Sequence, residues 1–139
     1  MTNPEFRVQV MPYVEESKKL ESCGENCFYI FELIQAPGID DRQYLLRFRW
    51  SKTEKKGVNQ YTAKWGATDE RMPEDRPDTV TLTRMMGSWK LRSVGDGDET
   101  RFTYQCHLDL GGNVPDFMAN DSAVGNSIEF LINLGELCE

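Results

Sequence analysis

The segment HLDLGGNVPDF contains residue types that often carry chemistry. His107 stands two residues before Asp109, and a histidine beside a carboxylate is a candidate general base. A catalytic site would also require a nucleophile and an orienting group, which the sequence does not place there. Gly111 and Gly112 would suit an anion site before a helix, but the fingerprint G-x-G-x-x-G is absent. We therefore predict no catalytic residue and a structural corner, in which the glycines turn the chain and Pro115 opens a helix.

Two of the four cysteines, Cys23 and Cys27, form the pattern CGENC. Structural zinc sites usually combine C-x2-C or C-x4-C with a second ligand pair, and the sequence has no such pair. We predict no metal and no cofactor. The pattern favours a turn between two half-buried thiols, and a disulfide across the turn is an open alternative.

Composition narrows the class of protein. The chain of 139 residues fits one domain, and seven Phe, five Tyr and three Trp supply a hydrophobic core. The formal net charge of −7 argues against a nucleic-acid partner, because phosphate contacts require an excess of Lys and Arg. The sequence has no hydrophobic run of membrane-spanning length and no signal-peptide core, so we expect a cytoplasmic protein.

The elements that must position these residues are mostly strands. Hydrophobic periodicity predicts about six strands, antiparallel because their connections are short. Residues 26–37 are apolar on both faces, which predicts a strand covered on both sides, with Glu32 as its one charge. Residues 42–50 alternate as a half-buried strand does. Gly87, within the strand segment 79–94, is a predicted bulge.

After Pro115 the period changes to that of an amphipathic helix. Its apolar stripe consists of Phe117, Val124, Ile128, Leu131 and Cys138. The predicted fold is therefore α+β, with a curved antiparallel sheet packed around a C-terminal helix. Such a sheet either fills its concave face with side chains or leaves a ligand cavity beneath the helix.

Three collinear blocks of the sequence resemble the START (steroidogenic acute regulatory protein-related lipid transfer) domains. The blocks are KLESCGENCFYIFELIQAPGIDDRQYLLRF, GATDERMPEDRPDTVTLTRMMGSWKL and TRFTYQCHLDLGGNVPDFM, of which the last is the most specific. The resemblance implies the helix-grip fold, in which a curved antiparallel sheet grips a long C-terminal helix around a tunnel. It also implies binding of one sterol, phospholipid, ceramide or related apolar molecule by a carrier or sensor, not an enzyme.

The chain departs from the family's pattern in three places. We expect residues 1–139 to be one partial domain that lacks about the first third of the START domain. The sheet then has an unpaired edge that invites pairing with a second copy. Arg42-Gln43 stands where the family has Arg-Asp, so that a local ion pair is lost. Glu32 matches an acid position of the tunnel, but Phe48 stands at the position of its partner.

The resemblance implies a set of ligand-binding residues. Glu32 is either a polar contact of the ligand or the ion-pair partner of Arg84 or another strand cation, because a buried unpaired carboxylate is costly. Phe48 and Trp65 are expected to form apolar walls. The helical lid is expected to consist of Val124, Ser127, Ile128 and Leu131, with the Ser127 hydroxyl as a polar contact.

Three functions remain to be compared. The first is a binding module for a lipid or other apolar small molecule, with transient membrane contact. The second is an enzyme on the same scaffold, such as a polyketide cyclase/aromatase, which would require acid–base groups in the cavity. The third is a dimerising fragment without a ligand, held together through the unpaired sheet edge.

Overall fold

The computed structural model of the protein describes residues 3–70, 72–73, 76–112 and 114–138, with the backbone alone at 116–118, 122 and 123. The elements are α1 (Pro4–Val10), β1 (Val14–Gly24), β2 (Cys27–Ile34), β3 (Arg42–Lys55), β4 (Val58–Ala67), β5 (Val80–Thr81), β6 (Met85–Val94), β7 (Glu99–Leu108) and α2 (Asp116–Cys138).

Six strands follow one another in a meander of order β1-β2-β3-β4-β6-β7, and each neighbouring pair is antiparallel. The short β5 pairs with β3 in parallel. Tight connections such as Lys56-Gly57 between β3 and β4 explain the antiparallel order, because a parallel pair needs a long crossover. The predicted helix-grip fold, a sheet of this kind with a C-terminal helix, is confirmed.

The middle of the sheet is buried on both faces, as predicted for residues 26–37. On the concave face, which α2 covers, the core contains Phe28, Ile30, Tyr44, Leu46, Phe48, Ala63, Trp65, Leu82, Met85 and Trp89. On the opposite face Phe31 and Leu45 pack under Met72, which belongs to the polar loop after β4. Alternation alone would expose one face of β2, and Met72 covers it together with Leu20 and Cys23 of β1.

Five aromatic rings form a ladder across the concave face. Phe28, Phe48 and Trp65 stack on β2, β3 and β4, with ring centroids 5.5 Å apart at each step. Trp65 then stacks on Tyr104 of β7 at 5.8 Å, and Phe130 of α2 tilts against Tyr104 at 5.1 Å. Such pairs stabilise beyond the area they bury, so the ladder ties α2 to the sheet.

Gly87 lies where the ladder crosses β6, and the predicted bulge at this residue is wrong. The pairing of β6 with β4 and β7 runs through Gly87 without a register shift. A Cβ atom there would lie 2.4 Å from Cζ2 of Trp65. Glycine is therefore required because the indole of Trp65 occupies the space of a side chain.

The corner before α2 has the structure predicted for HLDLGGNVPDF. Gly111 and Gly112 have φ of 60° and 64°, in the left-handed region that favours glycine. The Asp109 carboxylate accepts a hydrogen bond from the Gly111 N–H at 3.0 Å, and α2 starts after Pro115. Asp109 thus stabilises the turn. Among the described residues, no helix is long and apolar enough to span a membrane.

Candidate ligand-binding groove

Between the concave face of the sheet and α2 lies a partly open chamber of about 330 Å³. Its lining combines apolar side chains with a few polar groups: Met11, Pro12, Val14, Ile34, Tyr44, Met85, Tyr104, Cys106, His107, Leu108, Asn120, Asn126, Ser127 and Phe130. Cavities that bind small molecules have roughly 300–1,000 Å³ and a similar composition. The chamber is therefore the candidate site.

A second, smaller chamber of about 200 Å³ continues the first one. Four residues line both: Pro12, Ile34, Leu108 and Asn126. Arg42 lies in the wall of the second chamber and also lines an open hollow beside Gly112. The two chambers adjoin along these four residues and are together called the groove, with Arg42 at the far end of the second chamber.

A buried polar cluster lies behind the chamber, around the Glu32 carboxylate. Arg7 donates to it from Nε and, at 2.9 Å, from Nη2, while Ser17 donates at 2.9 Å and Tyr44 at 2.5 Å. The short helix α1 positions Arg7, and the Asn3 side chain caps its start by accepting from the Glu5 N–H. The guanidinium also lies over the Phe48 ring, 5.0 Å from its centroid.

The cluster shifts the pKa of its own members. Burial lowers the pKa of Arg7, but the charge and hydrogen bonds of Glu32 outweigh burial and raise it above the ordinary value. Burial, together with the Glu32 charge, raises the pKa of Tyr44 well above 10. Tyr44 therefore presents a neutral phenol at the chamber, held in place by its hydrogen bond to Glu32.

Two other groups of the chamber wall also stay protonated at neutral pH. Burial, with the neighbouring Cys106, raises the pKa of Tyr104 above its ordinary value. Cys106 is exposed as a residue, but partial desolvation of its thiol raises the pKa of that thiol. A thiol is a poor nucleophile compared with a thiolate.

Of the residues predicted to bind a ligand, Ser127 lines the chamber. Glu32 is fully buried (0% exposed) and approaches the chamber through Tyr44. Phe48 and Trp65 belong to the aromatic ladder but are not among the residues that line the chamber. The ladder residues that do line it are Tyr104 and Phe130.

The orientation predicted for the helical stripe is wrong. Val124, Ile128 and Leu131 are 63%, 54% and 44% exposed, whereas Phe130 is buried against β7. At about 100° per residue, Ile128 lies roughly 200° around the helix from Phe130. Asn133 fixes this rotation by donating to the Val10 carbonyl of α1 at 3.3 Å. The side chain of Phe117, also in the predicted stripe, lies outside the described residues.

The predicted pairing of Glu32 with Arg84 is also wrong. Arg84 is 80% exposed and lies 3.9 Å from the Asp109 carboxylate. β3 and β4 separate β2 from β6, which amounts to three spacings of about 4.8 Å, roughly 14 Å in all. An arginine side chain does not span that distance, and α1 supplies the cation instead.

Sequence reasoning missed Arg7, Tyr44 and Phe130. Tyr44 lies directly opposite Glu32 in the β2–β3 register. The Pro37-Gly38 turn between these strands was therefore a sequence signal that could have placed Tyr44 beside Glu32. The helix-start signal Asn3-Pro4 could likewise have predicted α1, the helix that carries Arg7. No sequence signal distinguishes Phe130 from the more numerous apolar residues that face away from the sheet.

The structure also locates His107 and the pair Cys23 and Cys27. His107 pairs with Met86 in the β6–β7 register and is exposed at the rim of the chamber. Cys23 and Cys27 form a disulfide across the β1–β2 turn, the alternative that the sequence left open.

Comparisons with known proteins agree with the fold. The crystal structure of human STARD10 superposes with a TM-score of 0.71 at 15% identity, over 95% of this chain and 54% of that one. A Pseudomonas aeruginosa protein, named Uncharacterized protein PA1579, is 31% identical over 68 residues, which are 49% of this chain and 33% of that protein. The chain thus matches about half of one and a third of the other. No protein-family model matches it.

Proposed function

We propose that the chain binds one lipid or other apolar small molecule in the groove beneath α2, as a carrier or sensor. The observation that carries this proposal is the chamber of about 330 Å³ between sheet and helix. Its wall is largely apolar, and its neutral polar groups are few and held in place, as in sites that orient a ligand.

Three titratable groups of the wall are poorly suited to acid–base catalysis at neutral pH. A general acid or base works best with a pKa near the working pH. The pKa values of Tyr44, Tyr104 and Cys106 are all raised, away from neutrality. Tyr44, Tyr104 and Cys106 therefore do not supply the acid–base groups that an enzyme of the polyketide cyclase type would need.

The resemblance of the three sequence blocks to START domains supports the same class of ligand, and the shared fold of human STARD10 is consistent with it. Fold alone does not determine function. The groove's own lining is therefore the stronger support.

The test is native mass spectrometry of the chain after incubation with palmitate, cholesterol, ceramide and phosphatidylcholine. Ser127→Trp fills the chamber, whereas Ile128→Trp, the matched control, adds the same ring on the exposed side of α2. We expect one bound ligand on the wild type and on Ile128→Trp, and none on Ser127→Trp. Absence of every lipid from the wild type, or equal loading of both variants, would contradict the proposal.

Membrane contact and self-association stay predictions. Arg47, Arg49 and Lys64 line a shallow depression on the convex face, which suits anionic headgroups. In the described part of the chain β1 pairs with β2 alone, which leaves an edge, but charged residues such as Lys18 and Lys19 occur along it. Light scattering after size-exclusion chromatography measures whether two copies pair there.

A further inference from the structure

Arg42 is a buried cation at the end of the groove. It is 3% exposed, and it lies on the same face of β3 as Tyr44 and Leu46, the face that α2 covers. Its side chain lines both the smaller chamber and the open hollow. The guanidinium therefore lies between the apolar interior and the exit to solvent.

The hydrogen bonds of Arg42 are incomplete. Nη1 donates to the Asp40 carbonyl, while Nε has no partner among the described residues. A guanidinium has five N–H donors and keeps its charge when buried. Buried donors are nearly always satisfied, so Arg42, whose side chain lines the cavity, retains unused capacity to donate to an acceptor.

The charge of Arg42 is also uncompensated within the described part of the chain. No carboxylate there forms an ion pair with it. The Asp41 carboxylate accepts from Gln35, and the next residue, Gln43, is neutral and donates to the Thr81 hydroxyl. Buried charges are normally paired because desolvation is costly.

The residues around Arg42 indicate the chemistry of the rest of the ligand. Ile34, Ala36, Ile39, Leu108 and Leu110 line the smaller chamber with it, so one buried charge faces an apolar space. The glycine at 112 keeps this end open, because a Cβ there would lie 3.3 Å from Nη2 of Arg42. An apolar tail fits the chambers, and an anionic group fits their end.

We infer that the ligand is a single-tailed amphiphile whose anionic head group, a carboxylate or a phosphate monoester, binds the Arg42 guanidinium while its tail lies beneath α2. This inference rests on the proposed function and specifies its ligand class. A planar guanidinium matches both oxyanions, because it can donate two parallel hydrogen bonds.

The test is isothermal titration calorimetry of the chain with dodecanoate, dodecyl phosphate, dodecanol and inorganic phosphate, below the micelle concentrations. The wild type is expected to bind both anionic amphiphiles at least about tenfold more tightly than dodecanol. Inorganic phosphate alone is expected to bind weakly or not at all, since it has no tail to bury.

Arg42→Gln should reduce the affinity for dodecanoate to that for dodecanol and leave dodecanol binding unchanged. Arg84→Gln, which removes an exposed cation near the same corner, should change neither affinity. If Arg42→Gln does not fold, Arg42→Lys is expected to retain part of the preference, because an ammonium keeps the charge but not the planar fork.

Two results would overturn the inference while the proposed function stands: equal affinity of the wild type for dodecanoate and dodecanol, or full dodecanoate affinity in Arg42→Gln. Inorganic phosphate that binds as tightly as dodecyl phosphate would show an anion site without a tail site, which also overturns it. Absence of binding by every amphiphile would also overturn the inference, while the proposed function would still stand if cholesterol, ceramide or phosphatidylcholine binds in the mass-spectrometry test.

Discussion

Removal of the Glu32 charge should destabilise the fold more than any surface change. In Glu32→Gln the neutral amide replaces a carboxylate that accepts four hydrogen bonds, two of them from Arg7. Both residues are buried, so Arg7 would be left as an uncompensated interior cation. Breaking a buried ion pair in this way costs about 3–5 kcal/mol, a large part of a typical unfolding free energy of about 5–15 kcal/mol.

Urea denaturation followed by circular dichroism measures this cost. Arg84→Gln is the control, because its exposed side chain should change the free energy of unfolding by less than about 0.5 kcal/mol. The double variant Arg7→Met/Glu32→Leu removes both charges and should be more stable than Glu32→Gln. A loss below about 1 kcal/mol in Glu32→Gln would refute the assignment of a charged, buried cluster.

Three further predictions test the surroundings of the groove. Gly87→Ala should lower the free energy of unfolding by about 1–3 kcal/mol through overpacking; an unchanged urea midpoint would contradict the tight contact at this residue. Because the pKa values of Tyr44 and Tyr104 are raised from 10.0, the folded state retains protons above pH 10 that the unfolded state loses. Above pH 10 the free energy of unfolding should therefore fall by up to about 1.4 kcal/mol per pH unit for each tyrosine. Urea titrations at several pH values should show a smaller fall per pH unit in Tyr104→Phe than in the wild type; equal falls would argue against the raised pKa of Tyr104. Reduction of the Cys23–Cys27 disulfide should cost at most about 2 kcal/mol, because the loop it closes is short; thermal melts with and without dithiothreitol measure this, and a larger loss would contradict it.

Much of the sheet was predictable because its patterns are local. The alternation in residues 42–50 and the two-faced apolar run in 26–37 gave strands in the correct order. The Gly111-Gly112 corner followed from backbone angles that only glycine adopts readily. Each of these inferences depends on neighbouring residues and not on distant packing.

The site was less predictable because distant contacts determine it. The stripe with Val124 and Ile128 suggested which side of α2 packs inward, but Phe130 and the Asn133–Val10 hydrogen bond set the rotation. α2 presents polar residues such as Ser127 to the chamber, which reverses the usual amphipathic pattern.

Glu32 and Gly87 show the same limit. A buried acid predicts that a partner exists, but only the packing of α1 identifies Arg7. A strand glycine predicts either a bulge or a close approach, and only the position of Trp65 decides between them. The location in the cell also stays a prediction, since the Cys23–Cys27 disulfide is a bond more typical of oxidising compartments than of the cytoplasm.

Photo-crosslinking with a dodecanoate analogue that carries a diazirine on its tail tests the central claim most directly. Mass mapping of the labelled residues shows where the tail lies. A ligand in the groove predicts labels at residues that line the chamber, such as Leu108, Ser127 and Phe130. Labels confined to the exposed residues Val124 and Ile128, or to the convex face at Arg47, would contradict the groove as the binding site.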